Sequence, residues 1–170
     1  TRIVSLTVTE KGYCRTAEGG LDIALAGEAS LYGLVGDALR RRFDAGLPGL
    51  TLLSCDNLAD NGRQLARLMA EYLDRSSAAL RRWFEAECTC PSTMVDRIVP
   101  AVTDEDRADV AAAIGLEDRA TVLTEPFSQW VIQDDFAQGR PLWEKVGAQL
   151  ADDIAPYEMA KLRMLNGAHS

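Results

Sequence analysis

Apolar positions along the chain follow two rhythms, one with a period near two and one near 3.6. Ile3-Val4-Ser5-Leu6-Thr7-Val8-Thr9 is a β-branched and apolar run, and residues 2–9 read as a buried strand. Glu10-Lys11-Gly12-Tyr13 breaks that run, and the small and polar residues of 14–29 predict a loop. Leu31, Leu34, Val35, Ala38, Leu39 and Phe43 then fall at helical spacing until Gly46, Pro48 and Gly49 end the helix. Leu50-Thr51-Leu52-Leu53-Ser54-Cys55 predicts a second buried strand, with Asp56-Asn57 at its carboxyl end. Asp60 or Asn61 can cap the next helix, whose apolar positions Leu65, Leu68, Met69, Tyr72 and Leu73 continue towards Trp83 and Phe84.

Beyond Pro91-Ser92 lies a short segment that ends in Met94-Val95-Asp96-Arg97-Ile98-Val99-Pro100. Thr103-Asp104-Glu105-Asp106 is a capped helix start with Val110, Ala113 and Ile114 behind it. Thr121-Val122-Leu123-Thr124 and Gln129-Trp130-Val131-Ile132 predict two more strands, and residues 137–143 a loop. A last helix is expected from Asp152 or Asp153, with Pro156 tolerated in its first turn. Strand, helix, strand, helix and further strands make an α/β sheet, whose first two strands form one crossover unit. Ligands of such sheets bind at the carboxyl ends of strands, where Asn57 and Thr9-Glu10-Lys11 are expected to stand.

Composition narrows the function classes. With 170 residues, 47 % of them apolar, the chain can bury a core of its own. A net charge of −8 argues against a nucleic-acid backbone as partner. Arg40-Arg41-Arg42 closes a helix and there complements the helix dipole. No apolar run reaches membrane-span length. Cys14, Cys55, Cys88 and Cys90 form no Cys-x-x-Cys pair, so zinc is not expected, and reduced thiols in a cytoplasmic protein are. The chain runs into its first strand from Thr1 without lead-in and stops at Ser170, and both ends read as cut from a longer protein.

The final stretch concentrates chemistry. At roughly 100° per residue, Glu158, Lys161, Asn166 and His169 share an arc of about 140° on one helix face. His169 is the one histidine in the chain. An amine, an amide and an imidazole on one face can form an active-site wall, and equally the solvated side of an amphipathic helix. Gly167 within that helix costs about 1 kcal/mol relative to alanine and hints at close backbone approach. Asp56-Asn57 can be an ordinary strand-end turn, and Asp96-Arg97 a local ion pair. No Gly-x-Gly-x-x-Gly follows a strand, and no Gly-x-Ser-x-Gly elbow is present.

Five segments, taken in order, resemble the mannitol dehydrogenase family of long-chain, metal-independent polyol and sugar-acid dehydrogenases. They are Thr7-Val8-Thr9-Glu10-Lys11-Gly12-Tyr13, Ser54-Cys55-Asp56-Asn57, Met94-Val95-Asp96-Arg97-Ile98, Glu125-Pro126-Phe127-Ser128-Gln129-Trp130-Val131-Ile132 and residues 161–169. The run Gly139-Arg140-Pro141-x-Trp143-x-Lys145-Val146-Gly147-Ala148-Gln149 is similar to the fructuronate reductase (mannonate oxidoreductase) branch. Cys88 and Cys90 stand where the family carries larger apolar residues.

The resemblance implies hydride transfer between NAD, with NADP open, and a polyol or sugar acid of the mannonate or mannitol type. It implies Lys161 as general base, Asn57 and Asn166 as oxyanion donors, His169 on a substrate hydroxyl, Glu158 on the proton route and Asp96 in the surrounding network. Asn57, Val95 and Thr9 are the expected cofactor contacts. A lysine serves as base near neutral pH when burial or a nearby charge lowers its pKa.

The fold expected is α/β: residues 1–152 as the second half of a Rossmann-type domain, and 153–170 as the first helix of an all-α substrate domain. Such a piece is expected to be inactive alone. Two competing readings are a non-catalytic α/β interaction module on the same fold and an unrelated small enzyme that uses the cysteines.

Overall fold

The computed structural model describes residues 1–165. The chain forms two compact units, one made of Thr1–Val95 with Trp130–Ser170 and a smaller one of Asp96–Gln129. In the larger unit, β1 (Ile3–Leu6) pairs parallel with β2 (Thr51–Ser54), in the register Ile3 with Thr51 and Leu6 with Ser54. Between them lie the four-residue α1 (Thr9–Gly12) and the long α2 (Leu31–Asp44), which Ser30 caps by accepting the Gly33 N–H. After β2 come α3 (Asn61–Asp74) and α4 (Ala78–Glu87). A second run of strands has the order β3 (Thr93–Asp96), β4 (Gln129–Gln133), β5 (Gln149–Ala151), with β4 parallel to β5. Thr89 forms a parallel bridge with Thr51, and the Leu52 N–H donates to the Thr89 carbonyl, so the chain entering β3 continues the β1–β2 ladder. A 3₁₀ turn (Trp143–Val146) precedes β5, and α6 (Ala155–Leu165) follows it.

Strand β2 is buried along its whole length. Leu52 packs with Leu39, Leu65, Leu68, Met69, Leu80 and Phe84 into the main core, while Leu53 packs with Ile132 and Ala148 into another cluster. A strand covered on both faces reads as a continuous apolar run, as this one does. A third cluster of Met94, Val131 and Ile154, with Tyr157 against it, seats the beginning of α6 on β3 and β4. Cys88 and Cys90 pack against the main core.

Several expectations need correction. The first strand stops at Leu6 rather than Thr9, because a carboxylate from another segment takes the Val8 and Thr9 N–H groups out of the ladder. The helix expected to continue to Phe84 breaks after Asp74, where Ser77 caps a new helix by accepting the Leu80 N–H. Asp60 holds the cap position of α3 without a side-chain cap bond, and Asn61 turns inward instead of capping. Residues 121–124 form no strand. The last helix begins at Ala155, with Pro156 in its first turn as expected. In the smaller unit, α5 (Asp104–Ile114) opens on a complete capping box between Thr103 and Asp106. Among the described residues no helix is long and apolar enough to cross a membrane.

Candidate active site

The carboxyl ends of β1 and β2 are knotted by Asp56, which is 4 % exposed. Its Oδ1 accepts the Val8 N–H at 3.0 Å and the Thr9 N–H at 2.7 Å, and its Oδ2 accepts the Tyr13 hydroxyl at 3.1 Å. Tyr13 Oη also lies 2.5 Å from Ser54 Oγ. Burial holds the Tyr13 phenol well above its ordinary range; the Ser54 contact opposes this, and the Asp56 charge adds to it. Tyr13 therefore stays a proton donor to the carboxylate. Thr9 has φ 60°, a left-handed conformation uncommon for a β-branched residue. Its N–H bond into Asp56 is what holds it there.

A second knot joins β2 to β3. Asn61, the first residue of α3, is fully buried. Its Nδ2 donates to the Asp56 carbonyl at 2.9 Å, to the Thr93 carbonyl at 2.9 Å and to Thr93 Oγ1 at 3.1 Å, and its Oδ1 accepts the Thr93 N–H at 2.9 Å. Thr93 Oγ1 in turn donates to the Ser54 carbonyl at 2.6 Å. Neighbouring Gly62 makes the approach possible, since a Cβ there would lie 2.4 Å from the Cys90 carbonyl oxygen.

Helix α6 brings its polar face to these strand ends. Lys161 Nζ donates to Asn57 Oδ1 at 3.0 Å and to the Val95 carbonyl at 2.7 Å. Glu158, one turn earlier, accepts the Asp60 N–H at 3.1 Å on Oε1. The cleft so formed holds about 150 Å³ and is lined by Asp56, Asn57, Thr93, Val95, Glu158 and Lys161, among others. A larger groove of about 600 Å³ runs along α2 and past the end of α3, but its lining residues, such as Gly36, Arg40 and Tyr72, lie away from the strand ends. The smaller cleft is where polar groups converge.

Asn57, Val95 and the Glu158–Lys161 turn of α6, from three distant parts of the chain, thus share one cleft. Thr9 opens α1, beyond the end of β1, and is outside its lining. Asp96 ends β3 and belongs to the smaller unit. Asn166 and His169 lie outside the described residues. Asp56, Asn61 and Thr93 were missed as parts of the site. The one available signal was that two cap candidates, Asp60 and Asn61, stood side by side where a helix needs one. Burial pushes the Cys55, Cys88 and Cys90 thiols up, which disfavours a thiolate nucleophile. Among the described residues no cluster of histidine, cysteine and carboxylate groups could hold a metal.

Residues 2–145 match the family described as the mannitol dehydrogenase Rossmann domain. The chain belongs to the mannitol dehydrogenase family. It is 47% identical to the D-arabinitol 4-dehydrogenase of Ralstonia nicotianae, a match covering 99% of this chain and 38% of that protein. It is 45% identical to the D-mannonate oxidoreductase of Escherichia coli, over 100% of this chain and 37% of that protein. The Pseudomonas fluorescens mannitol 2-dehydrogenase, solved as a ternary complex with NAD and D-mannitol, superposes with a TM-score of 0.85 at 39% identity, over 99% of this chain and 36% of that one. The chain spans little more than a third of the length of the curated relatives it matches. The expected Rossmann-type α/β class and the family membership both hold.

Proposed function

We propose that this chain supplies the nicotinamide-side wall and the general base of a longer, metal-independent, NAD(P)-dependent polyol or sugar-acid dehydrogenase. Residues 1–152 form the second half of its Rossmann-type domain, and 153–170 begin its helical substrate domain. The observation that carries this reading is the placement of Lys161 Nζ between Asn57 Oδ1 and the Val95 carbonyl, at the carboxyl ends of two successive strands. A mannonate or fructuronate substrate is favoured on the resemblance of the run from Gly139 to Gln149, with mannitol and fructose next; identity does not rank them, at 45% to the D-mannonate oxidoreductase and 47% to the D-arabinitol 4-dehydrogenase.

The residues present fit the nicotinamide end of the cofactor: the cleft opens at the strand ends and offers the Asn57 amide, the Val95 backbone and an amine. Asn57 and Val95 would hold that end, with Thr9, the first residue of α1, as a further contact. The glycine turn that cradles a pyrophosphate does not occur in this sequence and is assigned to another part of the longer protein. When bound, the nicotinamide supplies the hydride acceptor or donor.

The chain's own groups manage the proton. In its amine form, Nζ has two N–H bonds and one lone pair. Asn57 and Val95 hold Nζ at the strand ends, and in this form its lone pair can take the proton of the substrate hydroxyl. Asn57 uses its Oδ1 on Lys161 and keeps its NH₂ for the developing alkoxide, with Asn166 as the second donor. Glu158 carries the proton onward from Lys161, Asp96 tunes the network, and His169 orients a substrate hydroxyl.

The test is a substrate panel with the full-length protein and NAD or NADP, comparing mannonate, altronate, mannitol and arabinitol with and without chelator. Chelator-insensitive oxidation of one sugar acid or polyol supports the reading. A metal requirement, or no turnover with any of them, refutes it. The 170 residues alone are expected to show no hydride transfer.

A further inference from the structure

We infer that Asn61 is a positioning residue for the general base, acting as a peptide surrogate that sets the spacing between Asn57 and Val95, which both accept from Lys161. This rests on the role proposed above for Lys161. These two acceptors come from different strands: Asn57 follows β2, and Val95 lies in β3. These strand ends are held to each other by the Asn61 carboxamide, which bonds the carbonyl of Asp56, directly before Asn57, and both backbone groups of Thr93, two residues before Val95. A side chain that accepts an N–H and donates to carbonyls in this way occupies the place of a peptide group in a ladder.

Three further features fit this role. Asn61 is fully buried, and both its oxygen and its nitrogen are used, so its orientation is fixed by the network. Gly62 lets the start of α3 sit against the Cys90–Pro91 backbone, where any Cβ would meet atoms at 2.4 Å. Thr93 closes the knot by also donating its hydroxyl to Ser54. Bound between Asn57 and Val95, the amine of Lys161 can be placed no better than the distance between those two residues is defined. A displacement of about 1 Å at a reacting group can lower a rate on the order of 100-fold.

The experiment is a kinetic cycle in the full-length protein. Asn61→Asp replaces the donor NH₂ by an oxygen that faces three acceptors. Thr93→Val removes only the hydroxyl and keeps the backbone bonds, so it tests the same knot if the first variant does not fold. Thr93→Ser restores the hydroxyl. We expect Thr93→Val and folded Asn61→Asp to lower kcat about 10- to 100-fold, far more than they lower NAD affinity, and Thr93→Ser to recover most of the Thr93→Val loss. In the Lys161→Ala background, the same substitutions should cost nothing further. Additive losses in the two backgrounds, or parental kcat in Thr93→Val, would overturn the positioning role while leaving Lys161 as base. Parental kcat in Lys161→Ala would instead remove both the base assignment and this inference.

Discussion

Asp56→Asn exchanges one carboxylate oxygen for an NH₂ group at a position 4 % exposed to solvent. In the parent, that carboxylate accepts the Val8 and Thr9 N–H groups and the Tyr13 hydroxyl. Hydrogen bonds to a charged group contribute about 1.5–3 kcal/mol and neutral ones about 0.5–1.5 kcal/mol. Downgrading the two backbone bonds removes about 2 kcal/mol, and the new NH₂ faces Val8 N, 3.2 Å from the oxygen it replaces. Tyr13 limits its own loss by turning its hydroxyl to Ser54. The sum is a destabilisation of about 2–4 kcal/mol, or a fall in Tm of about 4–16 °C for a domain of this size. Circular dichroism of thermal unfolding, paired with urea titration, measures it. The companion Thr9→Gly relieves a left-handed threonine and should leave Tm unchanged or raised. An Asp56→Asn variant within 1 °C of the parent would refute the argument that this carboxylate holds the strand-end turn.

Gly62→Ala should destabilise by about 1–3 kcal/mol, opposite in sign to what helix propensity alone gives, because its Cβ would meet the Cys90 carbonyl oxygen; chemical denaturation decides the sign. Replacing Asn57 should lower kcat on the order of 100-fold in the full-length enzyme, measured with saturating cofactor. The hydrogen bond from Arg140 holds the Asp134 carboxyl below its ordinary value. A lowered folded-state value contributes stability that is complete above about pH 4 and is lost as pH falls through the folded value. The Tm difference between parent and Asp134→Asn should therefore be present at pH 6 and vanish in acid, and a difference independent of pH would contradict this.

Much of the fold was legible because periodicity and burial agree in it. Strand β2 is apolar throughout and is buried on both faces, and α5 opens at the box that Thr103 and Asp106 announce. Thr121, Val122 and Thr124 are β-branched, yet Val122 is exposed and finds no pleated surface to fit, which is what strand propensity reports. Strand β5 has three residues, too few for a periodic signal. In the site, Asn57 and Lys161 were legible through motif order, whereas Asn61 was not. Its partners are backbone atoms 5 and 32 residues away, and no local pattern encodes them.

The most direct test of the account is single-turnover hydride transfer by the full-length Lys161→Ala variant, with NAD affinity measured beside it. Loss of a positioned base predicts a fall in the rate of about 10²–10⁴-fold with cofactor affinity unchanged, and partial recovery on adding a small primary amine. Transfer at the parental rate would contradict the claim that the amine held between Asn57 and Val95 is the base.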